Sequence, residues 1–131
     1  MKRVLLVDDH DLFREVLGVV LEHHVGFDKG VHADSLVDAR RALSESTCRP
    51  GSRFDLAVMD LDLPGGGGLA LLEELREVVP SIRVLGITAS EDHGLCTRAL
   101  EAGASEVLVT SASGEEIAAA ARRLAGSRVS C

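Results

Sequence analysis

The sequence has very few aromatic residues, with three Phe and no Trp or Tyr among its 131 residues. A buried core must therefore be built from aliphatic side chains. These are plentiful, because apolar residues make up 46% of the chain. That fraction lies well above the range of disordered chains. The length suits one domain with a core of its own.

Basic residues, cysteines and long apolar runs are also scarce. The chain has 14 Lys and Arg against 21 Asp and Glu, and the net charge is −7. This argues against a nucleic-acid-binding surface, because phosphate binding needs clustered cations. No apolar run approaches the ~20 residues of a membrane span, and no signal-peptide pattern precedes Val4. Cys48, Cys96 and Cys131 have no CxxC spacing, so we interpret them as reduced thiols of a cytoplasmic protein.

Short apolar runs alternate along the chain with longer helical patterns. The runs cover residues 4–7, 27–33, 54–59, 82–87 and 106–109, and the helical patterns cover 11–24, 35–46, 68–79, 91–103 and 113–126. Runs that are apolar on both faces and separated by helices predict a parallel sheet covered on two sides. With right-handed crossovers, five such units predict an α/β doubly wound sheet of flavodoxin type, in strand order 2-1-3-4-5.

The remaining patterns concern helix faces, helix ends and domain limits. Leu12, Val16, Val19 and Val20 form an apolar stripe at helical spacing. A second stripe comprises Leu69, Leu72, Leu75, Val78 and Val79. Ser113 and Glu116 form a capping box, and Gly103 is a helix stop. We expect one domain over 1–126, a polar loop over 44–53 and a frayed tail over 127–131.

Acidic residues follow two of the predicted strands. Asp8 and Asp9 end the first strand, and Asp60 ends the third. In the predicted order these strands are neighbours, and ligands of such sheets bind at the carboxyl ends of the strands. Three converging carboxylates raise one another's pKa values unless a cation lies between them. A few hard oxygen ligands, with room for water, suit Mg²⁺.

Asp60 is followed by Leu-Asp62-Leu-Pro and four glycines. A carboxylate held rigidly beside a metal can accept a phosphoryl group, so Asp60 is a candidate phosphoacceptor. The proline ends the strand, and the glycines allow backbone amides to approach phosphoryl oxygens. Thr88 adds a hydroxyl at the same edge of the sheet. If the strand continues to Asp62, strand alternation predicts that the Asp62 side chain faces away, which leaves its backbone carbonyl as the contributing group.

The histidines give no comparable signal. We expect His10 at the start of the first helix, on the surface, and His23 and His24 beside the end of that helix. None of the five histidines has a trusted metal-ligand spacing.

With these motifs in this order, the chain resembles a bacterial response-regulator receiver domain of the NarL-type subfamily. The resemblance rests on VLLVDDHDLFRE, DLAVMDLDLPGGGGLALLEEL, VLGITAS and EAGASEVLVTSASGEEI. It implies that a sensor histidine kinase phosphorylates Asp60 and that Thr88 is the switch hydroxyl. It also implies that Asp9 binds Mg²⁺ directly, Asp8 mainly through water, and Asp62 through its backbone carbonyl.

Two positions depart from the pattern of that family. Family members carry a lysine after the fifth strand, where this chain has Thr110, and an aromatic residue within it, where this chain has Val107. Threonine brings no positive charge to a phosphoryl group, and valine cannot swing as an aromatic ring does. Arg98 and Arg122, the nearest basic residues in sequence, lie on helices without a route to the site.

Three functional hypotheses follow from these observations. The first is a phosphorylation-dependent, non-enzymatic switch that regulates transcription through a DNA-binding output domain outside this chain. The second is a phosphate-independent interaction module. The third is a haloacid-dehalogenase-type phosphatase. It is disfavoured because those enzymes carry their Asp-x-Asp pair on the first strand, whereas Asp60 and Asp62 follow the third. We also expect a homodimer through a surface helix, either 113–125 or 11–24, and no contact with a membrane.

Overall fold

The computed structural model describes residues 3–28, 30–47, 54–63, 67–89, 93–109 and 114–126. Within them lies one parallel sheet of five strands in the order 2-1-3-4-5, as the sequence predicts. The strands are β1 (Val4–Val7), β2 (Val31–Ala33), β3 (Leu56–Asp60), β4 (Arg83–Thr88) and β5 (Glu106–Val109). The register pairs Val7 with Met59 and Asp60 with Ile87.

Strand alternation distributes the aliphatic side chains between two cores. Leu5 and Val7 of β1 face one core, and Val4 and Leu6 face the other. All residues of β1 and β3 are buried, which fits a sheet covered on both faces. The Leu-, Val- and Ala-rich composition fills both cores without Trp or Tyr.

In the described part of the chain, five α-helices cover the two faces of the sheet. They are α1 (Asp11–Val20), α2 (Leu36–Thr47), α3 (Gly67–Val78), α4 (His93–Ala102) and α5 (Gly114–Gly126). Residues of α2, α3 and α4 line the first core, and residues of α1 and α5 line the second. Gly103 follows α4 with φ of +118°, which confirms the predicted helix stop. Among the helices described, none has the length and apolar character to cross a membrane.

The predicted helix over 11–24 is divided in the structure. The α-helix ends at Val20, and a π-helical turn follows over Leu21–Val25. Gly26, with φ of +88°, ends this turn, because a left-handed conformation carries little strain in glycine. The predicted second strand over 27–33 is shorter than expected and begins at Val31.

Helix α1 does not bury the apolar stripe noted in its sequence. Leu12, Val16 and Val19 are 75%, 55% and 56% exposed. Leu17 of α1 and Leu21 of the π-helical turn are buried in the second core instead. In the second stripe, Leu72, Leu75 and Val79 are buried and Val78 is 49% exposed. The exposed side chains of α1, namely Leu12, Val16 and Val19, are called the α1 stripe below.

Several predictions fall on segments outside the described residues. These are the capping serine, Ser113, the tail over 127–131 and most of the predicted loop over 44–53. Of that loop, residues 44–47 are the end of α2. Of the three cysteines, Cys96 lies in the described part of the chain and is a half-buried free thiol.

Candidate functional site

The predicted acidic residues lie together at the carboxyl edge of the sheet. Asp60 is the last residue of β3, and Asp8 directly follows β1, where its N–H donates to the carbonyl of Ala33 at 3.1 Å. Asp8 and Asp60 are each only 6% exposed, while Asp9 is exposed. The neighbouring positions of β1 and β3 therefore bring the three carboxylates together.

One residue of this cluster was not predicted. Ligand atoms of Asp8, Asp9, His10 and Asp60 all lie within 4.8 Å of one another. They line an open pocket of about 520 Å³. Its walls comprise Asp8, Asp9, His10, Leu12, Phe13, Asp60, Asp62 and Ala89.

His10 occupies the N-cap position of α1, at the predicted start of the helix, and its side chain is exposed. Its ring nevertheless reaches the acids, with Nδ1 at 3.0 Å from Asp8 Oδ1 and 3.1 Å from Asp9 Oδ1. Its backbone N–H also donates to Asp8 Oδ1, at 2.8 Å. The hydrogen bond and charge of Asp8, followed by the charge of Asp9, raise the pKa of His10. Its position two residues after Asp8 is the signal that the sequence analysis did not use.

Asp60 is the residue whose ionisation the site perturbs most clearly. Burial raises the pKa of Asp60 from 3.8 to about 6. The N–H of Asp62 donates to Asp60 Oδ1 at 2.8 Å and opposes that rise, while the charges of Asp8, Asp62 and Asp9 add to it. The site therefore presents a buried carboxyl group that still ionises near neutral pH.

Arg14 connects the acidic edge to helix α1 and strand β2. Its guanidinium donates to the backbone carbonyl of Asp8 at 2.5 Å and to Asp11 Oδ1 at 2.8 Å. Its Nε–H donates to His32 Nδ1 at 3.1 Å. The side chain is only 12% exposed. These contacts fix the backbone at Asp8, and sequence analysis missed them because they depend on how α1 packs on the sheet.

Thr88 ends β4 beside the acids and is completely buried. Its hydroxyl donates to the two carboxylate oxygens of Asp62, at 3.0 and 3.1 Å. The N–H of Ala89 donates to Asp62 Oδ2 at 2.6 Å. The expectation that the Asp62 side chain faces away from the site is therefore wrong. Strand β3 ends at Asp60, and Leu61 and Asp62 form a turn, so strand alternation does not extend to Asp62.

The turn after Asp60 is held by close packing. A Cβ atom on Gly68, in the first turn of α3, would lie 2.7 Å from Leu61 Cα and 2.9 Å from the carbonyl oxygen of Asp60. Only glycine allows this approach. On the neighbouring strand, a Cβ on Gly86 would lie 3.0 Å from the end of the Leu61 side chain. Pro64, Gly65 and Gly66 lie outside the described residues, and so does the predicted approach of the two glycine amides to a phosphoryl group.

The acid cluster fits a hard divalent cation in its chemistry. Carboxylate oxygens within 4.8 Å of one another are the donors that Mg²⁺ prefers, and the open pocket has room for water ligands. The repulsion that contributes to the raised pKa of Asp60 is of the kind that a bound cation relieves.

Of the two positions that depart from the family pattern, the structure describes Val107 and not Thr110. Val107 is half-buried and packs against the first core, with Gly86 as its partner on β4. Thr110 lies outside the described residues. Its predicted role in place of lysine is an inference from the sequence.

Comparison with known proteins agrees with this fold and places the chain among known families. The family model described as the response regulator receiver domain matches residues 4–122. The response regulator GacA of Pseudomonas aeruginosa is 34% identical over 129 residues, which cover 98% of this chain and 58% of that protein. The chain thus spans little more than half the length of such relatives.

Solved structures give the same result. The signal receiver domain of the response regulator NarL from Mycobacterium tuberculosis is 28% identical, with a TM-score of 0.80 and 95% of each chain covered. A response regulator from Burkholderia pseudomallei, solved with a phosphorylated aspartic acid, calcium ion and citrate, is 26% identical. Its TM-score is 0.78, covering 98% of this chain and 71% of that one.

The chain therefore belongs to the response regulator receiver domain family. It is a signalling domain of a two-component system and is of the NarL type, as the sequence motifs indicate.

Proposed function

We propose that this receiver domain accepts a phosphoryl group on Asp60 in a magnesium-dependent reaction. The observation that carries the proposal is the placement of Asp60 at the end of β3. There it is buried, has a pKa near 6, and lies among Asp8, Asp9 and Asp62 beside Thr88. The phosphorylated aspartic acid of the related Burkholderia pseudomallei protein supports this assignment.

In the proposed transfer, an ionised Oδ atom of Asp60 attacks the phosphorus of a phosphohistidine on a sensor kinase. A phosphorus–oxygen bond forms, the phosphorus–nitrogen bond breaks, and the imidazole leaves with its electron pair and takes up a proton. Asp8, Asp9 and Asp60 would hold Mg²⁺, together with the backbone carbonyl of Asp62. When bound, this ion supplies positive charge that stabilises the charge developing on the phosphoryl group. The Thr88 hydroxyl donates a hydrogen bond to the transferred phosphoryl group.

The kinase is proposed to dock on the α1 stripe. Leu12 belongs both to this exposed stripe and to the wall of the acid pocket, so a helix packed on α1 reaches the edge of the site. Asp11, Glu15 and Glu22 flank or follow the stripe. Such a face suits an apolar helical surface bordered by basic residues.

A homodimer remains part of the proposal, and α1 is the better surface for it. In α5, Ile117 is buried and Leu124 is half-buried, so that helix offers little apolar surface. A second copy on the α1 stripe brings acidic residues near acidic residues, so the dimer should be weak, with a contact below ~1,000 Å². Sedimentation velocity at high concentration tests it, and a strict monomer with and without a phosphoryl mimic refutes it.

Further parts of the proposal concern the full-length protein. The relatives are about twice as long as the matched segment, and one is named a DNA-binding transcriptional activator, DevR/DosR of Mycobacterium tuberculosis. We propose that this receiver, acting in the cytoplasm, controls transcription through an output domain of that kind.

A phosphate-independent interaction module is the second candidate, and Val107 with Thr110 favours it. Intact-mass measurement after incubation with Mg²⁺ and acetyl phosphate separates the two functions. We expect a mass increase of one phosphoryl group in the wild type and none in Asp60→Asn, with acetate as the leaving group. Glu77→Gln, which removes a carboxylate from the far end of α3, serves as the matched control. An unlabelled wild type would refute phosphorylation and favour the second candidate.

A further inference from the structure

The Asp62 carboxylate is held by two donors at the end of β4. The Thr88 hydroxyl contacts both of its oxygens, and the N–H of Ala89 contacts Oδ2 at 2.6 Å. A carboxylate and a phosphoryl group accept hydrogen bonds from the same kinds of donor, in similar geometry. The donors beside Asp60 are therefore already engaged by an anion that belongs to the chain itself.

We propose that Asp62 is a built-in competitor for the phosphoryl group. Its carboxylate occupies the Thr88 hydroxyl and the Ala89 N–H while Asp60 is unmodified, and it leaves them when Asp60 is phosphorylated. This inference rests on the proposed function of Asp60. It adds a residue that sets both the rate of phosphorylation and the structural difference between the two states.

Burial explains why the exchange has two defined states. Thr88 is completely buried, and a buried hydroxyl keeps an acceptor within the protein. Asp62 is exposed, so rotation of its side chain moves the carboxylate into solvent without unpacking the core. Its backbone N–H can meanwhile stay on Asp60 Oδ1, where it donates at 2.8 Å. The donors thus pass from one anion to another.

Charge drives the exchange in the same direction. Asp62 contacts Thr88 and its backbone contacts Asp60, so a phosphoryl group on Asp60 adds negative charge close to the Asp62 carboxylate. Like charges at this distance repel, most strongly where water is excluded. A group that binds two states differently can shift their populations. Release of Asp62 supplies such a difference even though Val107 cannot swing as an aromatic ring does.

The first test compares labelling rates with acetyl phosphate at saturating Mg²⁺. We expect Asp62→Ala to be labelled ~10-fold faster than the wild type, equivalent to about 1.4 kcal/mol. Glu77→Ala, which also removes one carboxylate, should match the wild type. Asp62→Asn keeps an acceptor oxygen for Thr88 and Ala89, so it should be labelled more slowly than Asp62→Ala. The proposal that Asp62 competes is overturned if Asp62→Ala is labelled at the same rate as the wild type. It is also overturned if Asp62→Asn is labelled at the same rate as Asp62→Ala.

The second test observes the contact without any phosphodonor. In a ¹H–¹⁵N spectrum of the metal-free protein, the Ala89 amide proton should lie further downfield in the wild type than in Asp62→Ala. The same resonance should move when beryllofluoride and Mg²⁺ are added to the wild type. An Ala89 amide that Asp62→Ala leaves unchanged shows that the contact is absent in solution and overturns the proposal.

The two measurements separate this inference from the function on which it rests. If wild type, Asp62→Ala and Glu77→Ala are all labelled equally, Asp60 is an acceptor and Asp62 does not compete. If no variant gains mass although the Ala89 resonance responds to Asp62→Ala, the contact exists but the phosphoacceptor function fails, and the competitor fails with it.

Discussion

Replacing Asp60 with Asn should stabilise the metal-free protein, by an amount that depends on pH. Burial and three neighbouring carboxylates raise the pKa of Asp60 from 3.8 to about 6. A pKa that is higher in the folded chain means that the proton is bound more tightly there than in the unfolded chain. The protonated carboxyl group thus contributes stability at low pH, and this contribution is lost as the pH rises through about 6.

The magnitude follows from the size of the shift. A carboxyl pKa raised from 3.8 to about 6 means that the ionised Asp60 lowers the free energy of unfolding by about 3 kcal/mol at neutral pH. The pocket is open to solvent, so we take this as an upper limit and expect about 1 to 3 kcal/mol. Asn cannot ionise, and its oxygen can still accept from the N–H of Asp62. The difference between the Asn variant and the wild type should be near zero at about pH 3.5 and largest at about pH 7.

Urea unfolding in EDTA measures this difference, with equal m-values as the requirement for comparing midpoints. Glu77→Gln controls for the removal of a charge elsewhere. Mg²⁺ in place of EDTA should narrow the gap at neutral pH, because the cation relieves the repulsion in the wild type. A gap of the same size at acidic and neutral pH would show that Asp60 is not perturbed as described. So would a matching gain of stability in Glu77→Gln.

Three further predictions concern rate, packing and partner binding. Thr110→Lys should speed labelling by acetyl phosphate by on the order of a hundredfold, because it restores the cation that family members carry at this position and that stabilises developing phosphoryl charge. Labelling of the wild type at an equal rate refutes this. Gly68→Ala should lower the free energy of unfolding by about 2 kcal/mol, measured in urea, because its Cβ would contact the Leu61 backbone; an unchanged midpoint contradicts the packing. Val16→Asp should slow transfer from the kinase and leave labelling by acetyl phosphate unchanged; equal effects on both donors rule out docking on the α1 stripe.

The sheet order and the meeting of Asp8, Asp9 and Asp60 could be predicted from the sequence. Both follow from where apolar runs end and from the rule that parallel strands end at a common edge. The chain confirms them, because β1 and β3 are buried on both faces and lie side by side.

The orientation of individual side chains could not be predicted in the same way. Helix α1 carries apolar residues on more than one face, and packing against the sheet selects Leu17 over Leu12 and Val16. The direction of Asp62 depends on the residue at which β3 ends, because alternation no longer applies once the strand has given way to a turn. His10 and Arg14 were missed because their contacts depend on where α1 begins and how it packs on the sheet.

The contact between Leu61 and Gly86 has a consequence for how related sequences vary. Leu61 follows Asp60, the proposed phosphoacceptor, and its side chain fills the space that a Cβ on Gly86 would need. The two positions share one volume, so a larger residue at 86 requires a smaller one at 61. Homologous receivers should therefore show inverse size covariation between these positions, and the double substitution Leu61→Ala with Gly86→Ala should destabilise the domain less than the two single substitutions added together.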